Sequence, residues 1–116
     1  MAITKSAVVA LTSTSAAAGS TKASPGATGS WLDVTGAYGG DLSWRLINGG
    51  SAPGVAPTLT IQASPDNGTT VFDYASVGGD IIASSDNSGT IWIDQGIQYV
   101  RVIAYGNTTN AITASA

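Results

Sequence analysis

Residues 61–76 read IQASPDNGTTVFDYAS, and this stretch decides the class of fold. Two strand-like runs flank a tip of Ser, Pro, Asp, Asn and Gly. Before the tip, TLTIQAS (58–64) alternates, so Leu59, Ile61 and Ala63 share the inward face while Thr58, Thr60 and Gln62 share the outward one. After it, residues 69–76 return with Phe72 and Tyr74 on one face. Pro65 presets φ for the first central position of a type I turn. Asn67 or Gly68 can take the left-handed conformation that closes a short hairpin. The reading is strand, tight turn, strand. Asp66 and Asn67 offer oxygens at the tip, with Asp73 beyond. Calcium, however, needs about six to eight oxygens, and the D-x-D-x-D-G pattern is missing. The tip is expected to be a corner, since Asp suits turns through the bonds its short side chain makes to nearby backbone. SSDNSGT (84–90) reads as a similar turn.

Working outward, strand signals recur between Gly, Pro, Asn and Asp, and no segment has helical periodicity. SAVVALTS (6–13) reads as a first strand and SWLDVTGAY (30–38) as a second. In DLSWRLIN (41–48), Leu42, Trp44 and Leu46 share one side, and Ser43, Arg45 and Ile47 the other. TIWID (90–94), IQYVRVIAY (97–105) and residues 111–115 complete the set. Residues 14–30 are small and interrupted by Gly19, Pro25, Gly26 and Gly29, so they read as a long loop or arm. GGSAPGVAP (49–57) is a Gly/Pro loop, and residues 78–90 carry a short edge segment and a turn. Roughly eight short strands at spacings near a dozen residues predict an all-β fold. It is expected to be one domain over residues 1–116, an antiparallel β-sandwich or small jelly roll. The two differ in strand order, which no local pattern encodes.

Composition narrows the function classes. Of 116 residues, 43% are apolar and only 9% charged, where a typical soluble domain carries about 25% charged. Ser and Thr together number 28, so much of the surface must be hydroxyl and backbone. Net charge is −3; all seven acids are Asp. Lys5, Lys22, Arg45 and Arg101 are scattered and make no phosphate-binding track, so nucleic acid is not expected as a partner. Nor is a membrane: there is no basic amphipathic helix and no apolar run near 18 residues. The apolar run at residues 7–11 is shorter than the roughly seven residues a secretion signal needs, so no signal is expected. Cys and His are both absent, which removes disulfides, thiolate zinc sites and the usual general base. No G-x-S-x-G elbow occurs, and nothing marks two of the Asp as a glycosidase pair. The chain is expected to be no enzyme, with no catalytic residue, metal site or cofactor.

The aromatics point elsewhere. Trp31, Trp44 and Trp92 join Tyr38, Tyr74, Tyr99 and Tyr105, a large set for so small a core. On IQYVRVIAY, Val100, Val102 and Ala104 suit the core. Tyr99, Arg101, Ile103 and Tyr105 form the opposite face, which is too apolar for free solvent and has the composition of interface anchors. Three readings of that face stay open: a subunit or capsid contact, coverage by the chain's own 14–30 arm, or a sugar-stacking platform.

Three stretches, MAITKSAVVALTSTSAAAGS (1–20), TIQASPDNGTTVFDYAS (60–76) and YVRVIAYGNTTNAITASA (99–116), resemble small structural proteins of tailed bacteriophages, of the head decoration or cement type. Hairpins of that kind often carry a Trp just after the turn; here Val71 and Phe72 hold the place. The resemblance implies a copy-rich, non-enzymatic virion protein on the outer surface of a phage head, made in the bacterial cytoplasm. It implies as partners the major capsid protein, whose neighbouring subunits each copy would bridge, and other copies of itself. The contact residues expected are Tyr99, Arg101, Ile103 and Tyr105, with Ile3 and Lys5 from the N-terminal segment. The alternative is a carbohydrate- or receptor-binding module of a phage fibre or tail component.

Overall fold

The computed structural model describes residues 8–35 and 40–116. Ile3, Lys5 and Tyr38 lie outside them. Among the described residues nine strands form in chain order: β1 (Thr14–Ala16), β2 (Ala27–Thr28), β3 (Leu32–Asp33), β4 (Gly40–Asn48), β5 (Thr58–Ser64), β6 (Phe72–Gly78), β7 (Asp86–Ile93), β8 (Tyr99–Tyr105) and β9 (Ile112–Ser115). They build an all-β sandwich. Sheet A runs β1-β9-β4-β7; sheet B runs β2-β8-β5-β6, with β3 also on β8.

The hairpin of residues 61–76 is the centre of this topology. β5 and β6 pair around the Ser64–Thr70 corner; β4 pairs with β7, β2 and β3 pair with β8, and β1 pairs with β9, all antiparallel. The chain is thus one long nested hairpin, rolled so that successive pairs fall alternately in the two sheets. That order is a jelly roll, which decides between the two architectures the sequence left open.

Side-chain alternation sets the core. Leu42 and Leu46 of β4, Leu59 and Ile61 of β5, and Val100, Val102 and Ala104 of β8 are buried in one cluster. Ile93, Ile112 and Ala114 join them from sheet A. Each full burial of a Leu or Ile contributes about 1.5–3 kcal/mol, so the facing strands of the two layers hold each other.

The corner satisfies itself. Asn67 and Gly68 both take left-handed φ, 56° and 98°. Ser64 Oγ accepts the backbone N–H of Gly68 (2.8 Å) and of Asp66 (3.2 Å), and donates to Asp66 Oδ1 (2.9 Å). Asp66 in turn accepts the backbone N–H and the hydroxyl of Thr70. Its oxygens serve the turn.

Several boundaries differ from the sequence reading. Of the expected first strand, residues 8–13 are irregular; the N–H groups of Ala10 and Leu11 both donate to the Ala116 carbonyl (3.0 and 2.9 Å), and regular pairing begins at Thr14. The 14–30 arm holds two short strands, β1 and β2. In the expected strand 30–38, Leu32 and Asp33 form β3. β7 begins at Asp86, four residues before the expected Thr90, so most of SSDNSGT is strand and not turn.

Candidate functional site

The outer face of sheet B carries the residues singled out on β8. β5 lies between β8 and β6, and its outward side chains bridge them. Arg101 Nε donates to Gln62 Oε1 (2.7 Å), and Gln62 Nε2 to Asp73 Oδ1 (3.4 Å); Lys22 pairs with the other oxygen of Asp73. A second rung links Tyr105 Oη, Thr60 Oγ1 and Ser76 Oγ at 3.1 and 2.8 Å. Trp31 lies over the Arg101 guanidinium, 4.7 Å from its ring centroid, and its indole also lies against Gly68. A Cβ at Gly68 would sit 2.5 Å from Trp31 Nε1, so glycine is required there for space as well as for φ.

This arrangement corrects part of the expected contact set. Ile103 is 1% exposed, and Tyr99, Arg101 and Tyr105 are half-buried. Thr60 and Gln62, read as outward, are buried too. The alternation holds, but Lys22 and Trp31 reach across the face from the same chain, so Arg101 is engaged internally. Ile3 and Lys5 fall outside the described residues. The three tryptophans do not form a row: Trp31 caps Arg101, Trp44 packs against the core and Gly89, and Trp92 is 55% exposed on the edge strand β7.

Other exposed apolar surface is more available. Ile81 and Ile82 stand 58% and 64% exposed on the loop between β6 and β7, and Val55 is 54% exposed on the β4–β5 loop. The two loops run together: Gly79 N–H donates to the Pro57 carbonyl (2.9 Å), and Ser84 N–H to that of Gly49 (2.8 Å). Asp80 holds the isoleucine loop rigid. Its carboxylate accepts from Ile82 N–H, Asn48 Nδ2, Ser85 Oγ and Asn87 Nδ2, while Asn48 also donates to the Ile82 carbonyl. The sequence carried a signal for this ledge: two adjacent isoleucines after GGD, with no apolar periodicity around them. Elsewhere, an open groove of about 770 Å³ runs beside Leu11, Trp44, Arg45 and Thr90.

The carboxylates are structural in their surroundings. Asp73 is held below the ordinary range by its hydrogen bond from Lys22, and Asp86 by that from Arg45. Asp80 is lowered by Ser85 and Asn87, Asp66 by Thr70, and Asp33 by Thr35. A lowered folded pKa contributes stability above the unfolded carboxylate value and loses it as pH falls through the folded one. The melting temperature is therefore expected to hold steady from about pH 7 to pH 5 and to fall below about pH 4. Thermal melts followed by circular dichroism check this; an unchanged melting point at about pH 2.5 would show that these contacts add nothing in solution. Among the described residues, no three acidic side chains come together as a metal-binding group.

No protein-family model matches the chain, and no curated protein matches it. One solved structure that does match is that of infectious bursal disease virus, Gx strain. The similarity is 14% in identity with a TM-score of 0.45, over 93% of this chain and 29% of that one. At that distance the likeness carries no argument about function.

Proposed function

We propose that this chain is a non-enzymatic structural protein of a phage virion, which decorates the head and stabilises it by bridging neighbouring major capsid subunits. The observation that carries the reading is the exposed isoleucine pair Ile81 and Ile82, on a loop that Asp80 and Asn48 hold by hydrogen bonds. An adjacent isoleucine pair held in water by a carboxylate network suits a surface that another protein covers. The resemblance to phage decoration proteins supports the same reading, as does a charged fraction of only 9%. The half-exposed parts of Tyr99, Arg101 and Tyr105 belong to the proposed contact; Ile103 does not. The chemistry is mechanical: burial at the seams opposes expansion of the shell, and many modest contacts add through multivalency.

The test is stoichiometric. Purified chain is added to heads that lack it, the heads are sedimented, and bound copies are counted. Saturation at a number matching the symmetry sites of the shell is expected. Ile81→Ser with Ile82→Ser should weaken attachment at least about tenfold, since hot-spot truncations cost about 2 kcal/mol or more, while the melting temperature stays put because both side chains are exposed. No binding at micromolar protein, or unaltered binding by the double variant, counts against the reading.

A further inference from the structure

We propose that two copies of this chain pair edge to edge through β7, antiparallel about a two-fold axis at Gly89, to form one continuous eight-stranded sheet. This inference is independent of the virion role. It starts from the phase of the backbone. β7 is the end strand of sheet A, paired on one side with β4 from Gly40↔Ile93 to Ile47↔Asp86 without a break in register. The Ser85 carbonyl accepts from Asn48 N–H (2.8 Å), so odd-numbered residues turn their polar groups toward β4. On the other side, the Trp92 carbonyl accepts from the Tyr74 hydroxyl (3.0 Å), and Asp94 N–H donates to that hydroxyl. Even-numbered residues therefore turn outward. Among the described residues, the N–H and C=O groups of Ser88 and Thr90 meet no protein partner on that side.

An unpaired row of this kind is complemented by another strand. The remaining sheet edges are guarded: β1 has three residues and β2 has two, while the pairing that places β6 shifts register between Ile61 and Gln62 and carries the Asp73–Lys22 ion pair. β7 has eight residues, no Lys, no Pro and no bulge. It also matches itself. In an antiparallel pair centred on Gly89, Ser88 faces Thr90 of the other copy and Asp86 faces Trp92, so every outward residue finds an outward residue. The central rungs between Ser88 and Thr90 use groups that the monomer leaves without a protein partner, while the Trp92 carbonyl, already accepting from the Tyr74 hydroxyl, joins only through its second lone pair. The only charge on the strand, Asp86, is already neutralised by Arg45, so two copies meet without repulsion although each has net charge −3. Trp92 gains a purpose: its 55% exposed ring would lie over the Asp86–Arg45 pair of the second copy, a site for cation–π contact.

The experiment is sedimentation equilibrium of the full chain at concentrations up to about 100 µM, a range that detects dissociation constants down to weak micromolar binding. The wild type is expected to approach twice its 11.5 kDa mass. Thr90→Pro removes an outward N–H that the monomer leaves in water, a position where an edge strand tolerates proline. That variant is expected to stay monomeric with the same circular dichroism spectrum. Should it fail to fold, Thr90→Lys serves, since it keeps the backbone and places a charge at the seam; its dissociation constant should rise at least about tenfold. A wild type that stays monomeric at about 100 µM overturns the proposal. So does a dimer that survives in the folded variant.

Discussion

Leu46→Ala is expected to remove about 3 kcal/mol of folding stability and to lower the melting temperature by about 10 °C. Leu46 is fully buried at the middle of sheet A, opposite Ala114 on β9 and Asn87 on β7. Its Cδ1 also lies 3.6 Å from where a side chain on Gly79 would begin. The neighbours are small and are fixed by ladders on both sides, so they cannot collapse into the space. The loss is then the transfer term plus a cavity term. Urea unfolding of the two proteins measures it. A cost below about 1 kcal/mol would mean that the layers close over the cavity and that the core is softer than its burial suggests.

Gly29→Ala is expected to cost nearly as much, about 2–3 kcal/mol, for the opposite reason. A Cβ there would fall 2.3 Å from the Ala10 carbonyl oxygen, a backbone atom. Both sides are held by hydrogen bonds, so any movement costs contacts. Gly29 N–H is tied to the Val102 carbonyl (2.8 Å), and Ala10 and Leu11 are tied to Ala116. The added methyl must push residues 8–13 away from the sandwich and uncover Ala10 and Leu11, both now buried. Denaturant unfolding gives the cost, and amide exchange locates it: the Ala10 and Leu11 amides should lose protection before any other. Unchanged protection would show that this segment is held more loosely than its hydrogen bonds indicate.

The central strands are legible because their burial is one-sided or their neighbours are local. TLTIQAS and DLSWRLIN alternate cleanly, and β5 and β4 fall where the pattern puts them, within a residue. The corner is legible because Asn67 and Gly68 are chosen for φ. What escapes a local reading is information held by distant residues. Thr60 and Gln62 are buried because Lys22 and Trp31 cross the face, some forty and thirty positions away in sequence. Ile103 is flanked by Thr28 of β2 and Thr60 of β5, pairings that no local pattern shows. β7 reads partly as a turn because an exposed edge strand can be built from Asp, Asn, Ser and Gly, with the ladder to β4 overriding weak propensity. β1 and β2 are too short to show any period at all. The ledge at Ile81 and Ile82 is plain in the sequence, yet its rigidity depends on Asn48, more than thirty residues upstream.

The nested order of the pairs also sets a timetable. Thr14 and Ala114 are a hundred positions apart, and bringing them together directly would cost about 4 kcal/mol of chain entropy. Ala63 and Phe72 are nine apart. Once β5 and β6 have met, β4 and β7 have only the stretches 48–58 and 78–86 left to close; each completed pair shortens the next closure. The chain is expected to fold as a zipper whose slider starts at Ser64 and ends at the termini, an order that refolding kinetics of corner and terminal variants would check. A weakening near the corner then slows the slider's first step and the rate of folding. The same weakening at Ala16 or Ala114 leaves that rate nearly untouched and is felt in how soon the finished protein comes apart.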